Sequence, residues 1–551
     1  MTTMMKRYIS LFILSLAVTT MTYAQDEEPA VIETVDQLLG ESQAFTVFNR
    51  LVTACGLQPE LSKVRDEEYE RAYQNRLIQD LAQHPSERQI GTIPEHRYYG
   101  YTVFAEPDAV WETLLGKAAA NITVADVKNY LINKGLYPGG TTDDNYTDVR
   151  NIVNLFTTYH ILPERLTPDK LVIHYNELGY SSGSLQYTIP VEEFYTTLGQ
   201  PRLLKIFEST ESNGIYLNRF PVLRNGRGQF IDTSEPSNND YHESGVFQPT
   251  RGNALTSNEN QGIIVFQRGA ENASILQAFN GCVYPISQLL AYTENVQTQL
   301  SCQRLRFDAA SLLPEMINND LRRPMANYSY GASTTRGFPV SREIQYFDNL
   351  DIADGTSFYY LSGYNSRWAN YQGDEFNVVG NYEFTLKLPP VPANGAYELR
   401  IGVSSGSSAR SIAQFSLGSD KEHLIATELP IDLRVGGKYK RLRSGNVASN
   451  IGWEEDTKDA VHDRLVDIRL HEQGFMKGPQ SFTSSYYTTS VRTLEYNLRR
   501  IVWSGMVEAG KTYYLHVKNC MPSEELQFYM DYIEWCPKNV YANPETPEDI
   551  W

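Results

Sequence analysis

The chain reads as a multidomain protein, an α+β part followed by an all-β part. Three observations lead there. At 551 residues it is long enough for two or three domains with full-sized cores. Up to about residue 295, short apolar strands alternate with stretches of helical spacing. From Phe338 the apolar residues change to period two, and the runs follow one another without helical spacing between them.

Residues 1–24 read as a signal peptide: Lys6-Arg7, the apolar stretch Ile9 to Val18, then Thr22-Tyr23-Ala24 before Gln25. That stretch is too short for a membrane span, and no later one qualifies as a transmembrane segment. The first cysteine is Cys55, far from the expected cleavage point, so the exported chain is not expected to carry a lipid anchor. The five cysteines, Cys55, Cys282, Cys302, Cys520 and Cys536, are an odd and sparse set, which is no disulfide framework. Cys520 and Cys536 would lie on one hairpin some ten residues out of register, roughly 30 Å apart at strand rise.

The formal charge is −18, or about −20 without Lys6 and Arg7, each of which removes one positive charge. No Lys/Arg stripe interrupts that acidity, which excludes a nucleic-acid partner. Tyrosines outnumber phenylalanines, 37 to 22, a bias that suits sugar or protein contact as well as strands.

Taken in order, Ser42 can cap a helix on which Phe45, Phe48, Leu51, Val52 and Cys55 share a face, with Gly56 as its stop. Val64 to Leu81 is a charged helical stretch. Tyr101-Thr102-Val103-Phe104-Ala105 is a short buried strand running into a helix marked by Val110, Trp111, Leu114 and Leu115. Pro107 falls in its first turn, where a missing N–H does no harm. Ile122 to Ile132 is a further helix. The acidic run Thr142 to Asp148 could hold a structural calcium, but acids placed at the positive end of a helix dipole explain it better. Thr147 to His160 carries Val149, Ile152, Val153, Phe156, Tyr159 and His160 on one helical face, closed by Pro163. Leu171 to Ile173, Leu185 to Ile189 and Ile263 to Phe266 read as strands, with a polar insertion over 208–262. Helical spacing around Leu305 to Leu321, then Arg322-Arg323-Pro324, marks 296–335 as a helical linker.

Thr102-Val103-Phe104-Ala105, followed by Pro107 and Asp108, resembles the first signature of fasciclin-like adhesion domains. Tyr159-His160-Ile161-Leu162-Pro163 resembles the second, and Asn280 to Ile286 resembles the family's closing turn and strand. Glu106-Pro107 replaces the family's small and hydroxyl residues before the first helix. The resemblance implies one expanded fasciclin-like domain over residues 25–295, in a bacterial, exported protein associated with cell adhesion.

In the all-β part, 336–540, Tyr382, Phe384, Leu386 and Leu388 alternate with polar residues, as do Tyr397, Leu399, Ile401 and Val403. Asn394-Gly395 between them predicts a hairpin. Leu494 to Leu498, Tyr513 to Val517 and a last strand, Leu526 to Trp535, complete a β-sandwich. Gly510-Lys511-Thr512-Tyr513 and Asp531-Tyr532-Ile533-Glu534 resemble the jelly roll of galactose-binding-like and carbohydrate-binding modules. Residues 541–551 form an acidic, Pro-containing tail.

Catalytic signatures are weak. Gly179-Tyr180-Ser181-Ser182-Gly183 and Gly402-Val403-Ser404-Ser405-Gly406 match the nucleophile-elbow spacing, but neither is followed by a helix. The nine histidines do not cluster, and no metal, phosphate or nucleotide motif appears. A glycosidase would need two carboxylates about 5 to 9 Å apart across a cleft. Tyr159 and His160 continue an apolar face and read as packed residues, the imidazole satisfied by a backbone partner. The candidate ligand residues are the aromatics of the sandwich loops with their polar neighbours: Tyr359, Tyr360, Tyr364, Arg367, Trp368, Asn370, Tyr371, Trp453, Tyr486 and Tyr487. Flat rings flanked by amides and charges suit the faces and hydroxyls of sugars.

The expectation is a non-catalytic surface protein of the cell envelope, in the periplasm, on the outer membrane or at the cell surface. It needs no cofactor. Its partner is a polysaccharide or another envelope protein. The alternative is a structural subunit of an outer-membrane glycan-uptake complex, and a glycoside-active enzyme comes third.

Overall fold

The computed structural model describes residues 33–75, 94–172, 191–208, 214–220, 261–267, 274–322, 333–338, 346–363, 371–404, 407–457, 459–480, 491–523, 525–543, 548 and 550. Residues 1–24, expected to be a signal peptide, lie outside them. It is a multi-sheet protein, mostly β and mostly antiparallel, with its longer helices gathered before residue 160 and at Ala460–His471. Among the described residues no helix is long and apolar enough to cross a membrane.

The strand Tyr101–Ala105 is the middle layer of the N-terminal part. It pairs in parallel with Gly281–Pro285 and antiparallel with Ile161–Leu162. All five of its residues are buried. Because side chains alternate along a strand, Tyr101, Val103 and Ala105 face the helices Val35–Glu41 and Thr46–Ala54, packing with Val35, Leu39, Phe48 and Val52. Phe104 points the other way and stacks on its register partner Tyr284, ring centroids 5.5 Å apart. That face is closed by a second sheet, the meander Val191–Thr196, Leu203–Glu208, Gly214–Leu217 and Ile263–Gln267. A third cluster joins Trp111 and Phe156 with the helix Val124–Asn133.

Helix ends follow local chemistry, with shifts from the expected positions. The helix expected from Ser42 begins at Thr46, and Ser42 instead ends a preceding helix, Val35–Glu41. That preceding helix opens with a Thr34–Gln37 capping box, and the Thr46 helix has no cap of its own. Asp108 supplies it from 60 residues away, its carboxylate accepting from the Val47 N–H (2.9 Å) and the Thr46 hydroxyl (2.6 Å). Gly56, at φ 68°, ends that helix as expected. The Tyr159 helix begins only at Ile152, because Asn151 caps it; Val149 lies before it and is exposed. Leu171 and Val172 are buried in a bend, not a strand.

The C-terminal part holds three antiparallel sheets around one apolar cluster. One contains Ser333–Phe338, Thr356–Gly363, Asp374–Gly380 and Gln527–Met530. The second is built on Glu383–Lys387, Tyr514–Asn519 and Ile412–Gly418. The third orders Phe475–Lys477, Asn497–Val507, Gly395–Ser404, Tyr532–Pro537 and Leu305–Asp308. Three expectations change here. Asn394-Gly395 closes no hairpin: Glu383–Lys387 pairs with Tyr514–Asn519, while Gly395–Ser404 pairs with Asn497–Val507. Pro389, Pro390 and Pro392 lie between them, and proline cannot donate to a ladder, so the chain crosses from one sheet to the other. The last strand is two, broken at Asp531, whose carboxylate accepts from the Tyr371 N–H at 2.9 Å. Within the 296–335 stretch, expected to be helical, Leu305–Asp308 is an edge strand of the third sheet.

The apolar cluster of these sheets continues into the N-terminal part through Phe194, Leu203 and Phe220, and the rings of Phe194 and Phe307 lie 5.9 Å apart. From Thr34 to Trp551 the chain packs as one unit. The tail belongs to it. Glu548 forms ion pairs with Arg304 at 3.0 Å and Arg400 at 2.7 Å, and Ile550 is buried.

Candidate functional site

The described members of the aromatic set expected to bind ligand, Tyr359, Tyr360, Tyr371 and Trp453, do not lie on an open face. Tyr359 and Tyr360 sit in the strand Thr356–Gly363, which has a neighbour on each side, and both are buried. Tyr360 donates its hydroxyl to Asp374 at 2.7 Å. Tyr371 is 7% exposed and packs on Tyr532, ring centroids 5.7 Å apart. Trp453 lies at 6%, in a small core with Val466, Leu470 and Phe475. A ring committed to a core cannot stack on sugar, so these four are structural. Tyr364, Arg367, Trp368, Asn370, Tyr486 and Tyr487 lie outside the described residues.

The motif residues Thr102, Val103, Phe104, Ala105, Tyr159 and His160 are all buried. Thr102 donates to the Glu164 carbonyl (2.6 Å) and accepts from the Leu166 N–H (2.9 Å). Tyr159 donates to the Leu203 carbonyl at 3.2 Å. His160 is packed, as its place on an apolar face indicates. Its Nδ1 donates to the Phe156 carbonyl (2.8 Å), and its Nε2 meets Glu106 at 3.0 Å. Glu106 also accepts from the Leu290 N–H at 2.8 Å, which ties the strand, the helix and a distant loop together. Glu106 is thus the residue that holds the histidine.

The acids of the 142–148 run are engaged by neighbours: Asp144 by Lys128 (2.5 Å) and Asp148 by Arg150 (2.8 Å). Among the described residues no group of three or more His, Cys, Asp or Glu side chains is placed to hold a metal ion. Of the two Gly-x-Ser-x-Gly segments, the first lies outside the described residues. In the second, Gly402 is fixed by packing, because a Cβ there would enter the Tyr532 ring. All five cysteines are free.

A cleft of about 350 Å³ opens where the N-terminal part meets the C-terminal sheets, a usual size for a ligand site. One wall is Arg97 to Tyr101, leading into the central strand. A second is the turn Thr196 to Pro201, and Asp348, Asn349 and Lys387 come from the C-terminal part. Gly100 is required here, since any side chain would collide with Asn318. Tyr98 and Tyr99 are half-buried, and cations back both: Arg65 lies 5.7 Å from the Tyr98 ring centre and Lys63 5.3 Å from that of Tyr99. Arg97 is buried and spends its charge on Asp348, Glu315 and Asp66. The side chain of Asp348 stays 66% exposed.

Two further acids line the floor. Burial, reinforced by Glu193 and only partly opposed by Arg322, pushes the Glu164 carboxyl up to about 8. Burial outweighs Arg97 and lifts Glu315 to about 7. Each has an oxygen, Oε2, that is buried without a hydrogen-bond partner among the described residues. At neutral pH the protonated Glu164 is a hydrogen-bond donor, not a charge. The cleft therefore offers rings, a protonated Glu164, the carboxylates of Asp348 and Glu60, and the side chains of Lys387 and Lys511. The sequence did carry a signal for it, the run Arg97-Tyr98-Tyr99-Gly100-Tyr101, but burial of its neighbours is what makes it a wall. No family model matches this chain, and no curated protein does either.

Proposed function

We propose that the protein is a non-catalytic, exported envelope protein that binds a glycan in the cleft between its two parts. The observation that carries this reading is the pair Tyr98 and Tyr99, half-exposed along one wall and facing a site with hydroxyl-binding acids. Sugars present apolar C–H faces to rings and hydroxyls to carboxylates and amides, and this lining offers both. The parallel pairing of Tyr101–Ala105 with Gly281–Pro285, over a buried Tyr159-His160, supports a fasciclin-like N-terminal part. The antiparallel sheets after residue 333 are compatible with a galactose-binding-like module, and the two together suit adhesion or glycan capture at the cell surface.

The test is a titration against a panel of polysaccharides. The wild-type chain should bind at least one. Tyr99→Ala should weaken that binding by about 1 to 2 kcal/mol, roughly ten-fold, with little change in melting temperature. If the wild-type chain binds no glycan, the carbohydrate reading falls and a scaffold of an outer-membrane assembly replaces it.

A further inference from the structure

A second cavity, of about 460 Å³, lies along the same seam on the other side of the turn that carries Gln200 and Pro201. Its distinguishing group is Arg202. The guanidinium stands against two rings, 5.1 Å from the centre of Tyr137 and 5.4 Å from that of Tyr292. Its Nη1 is buried and has no hydrogen-bond partner among the described residues. Contact with ring faces offsets only part of what a cation loses on leaving water, and an unpaired buried donor costs a further fraction of that. Many buried arginines of the fold pair with carboxylates, as with Arg322 and Asp374 at 2.8 Å or Arg400 and Glu398 at 2.7 Å. Arg202 forms no ion pair among the described residues, and it lines a cavity.

The surroundings hold this geometry fixed. The main chain of Arg202 is locked in a tight turn, its N–H donating to the Thr197 hydroxyl and its carbonyl accepting from the Thr197 N–H. Tyr137 adopts φ 54°, a conformation a tyrosine keeps only where its surroundings impose it. Its hydroxyl accepts from the Tyr292 N–H at 3.1 Å, and the Tyr292 hydroxyl donates to the Pro392 carbonyl at 3.3 Å. Both rings that cradle the cation are therefore anchored. The amides of Gln200 and Gln297 and the exposed carboxylate of Glu294 border the same cavity.

We infer that this cavity is a subsite for one carboxylate on a sugar ring, a uronic acid residue of a glycan. A guanidinium presents paired N–H donors that match a carboxylate, and the amides and rings suit the rest of a sugar. The inference rests on the glycan reading above and adds a charged unit to it.

The full chain is titrated with an oligogalacturonide and with the same oligosaccharide after its carboxylates are reduced to alcohols. The expected result is a preference of roughly ten-fold or more for the acidic form, one well-placed charge-assisted pair. Arg202→Gln should abolish that preference while leaving affinity for the reduced form unchanged. Arg202→Lys should retain part of the preference, and both variants should melt as the wild type does. Equal binding of both forms by the wild type would overturn the subsite and leave the glycan reading standing. Binding of neither form would overturn the subsite, while the polysaccharide panel decides the glycan reading separately. An Arg202-dependent affinity for a glutamate-rich peptide, without affinity for the oligogalacturonide, would overturn the sugar and assign the cavity to protein.

Discussion

The two parts of the molecule bury polar groups in opposite ways. Around the central strand, buried polar side chains act singly and are satisfied largely by the backbone. Asn280, for example, accepts from the Val35 N–H and donates to the carbonyls of Leu61 and Lys63, joining three segments. The third C-terminal sheet instead buries a lattice of charges. Arg400, Glu534 and Arg306 lie directly opposite one another across three strands. Glu534 sits 2.8 Å from Arg306, 3.3 Å from both Arg304 and Arg499, and 3.7 Å from Arg400, all on one face of the sheet. The opposite face carries Leu399 and Ile401 into the apolar core. A face of charges cannot be left half-covered, and the tail covers it with Glu548. The comparison teaches that neutral groups stitch neighbouring layers one bond at a time, while a charge lattice ties remote segments into a single condition for folding.

The largest expected effect breaks that lattice. Glu534→Ala leaves four guanidiniums without their shared partner, and removing one member of a buried ion pair costs about 3 to 5 kcal/mol. Denaturant unfolding measures it. His160→Ala, in the singly satisfied half, should cost only about 1 to 3 kcal/mol, the range for one buried hydrogen-bonded group. It should leave glycan binding by the folded protein unchanged. Equal losses from the two variants would erase the distinction between the regions.

Acidity sharpens the same contrast. Burial alone would raise Glu534, but Arg499, Arg306, Arg304 and Arg400 together hold it at about 2, below the ordinary 4.5. Such a group contributes stability above pH 4.5 and loses it as pH falls toward 2. Glu164, raised to about 8 chiefly by burial, behaves in reverse. Its contribution is full below pH 4.5 and is lost as pH climbs through 8, and Glu315 follows it up to about 7. Melting temperature should therefore decline on both sides of mildly acidic pH. Glu164→Gln, which removes the proton to be lost, should flatten the alkaline limb and leave the acid limb intact. An unchanged alkaline limb would mean that Glu164 does not titrate there.

How far this was legible differs between the regions for the same physical reason. Local periodicity located the strand Tyr101–Ala105, the helices around Val127 and Phe156, and the strands Glu383–Lys387 and Gly395–Ser404, because burial on one face writes itself into spacing. It could not say which strands pair. Asn394-Gly395 looked like a hairpin because turn chemistry is local, while the prolines before it redirected the chain to another sheet. Leu305-Arg306-Phe307-Asp308 was read as helical because four residues fit either period. The four described candidate aromatics are buried, and composition could not show it for a related reason. A tyrosine such as Tyr360, with a polar partner at Asp374, has the same composition around it whether it lines a groove or a core.

The central claim is the location of the ligand site, and hydrogen–deuterium exchange with and without a bound oligosaccharide tests it most directly. The account predicts new protection in the segments 97–101 and 196–201, which wall the cleft, with the interior of the third sheet unchanged. Protection confined to 359–371, or saturable binding with no protection along either wall, would contradict it.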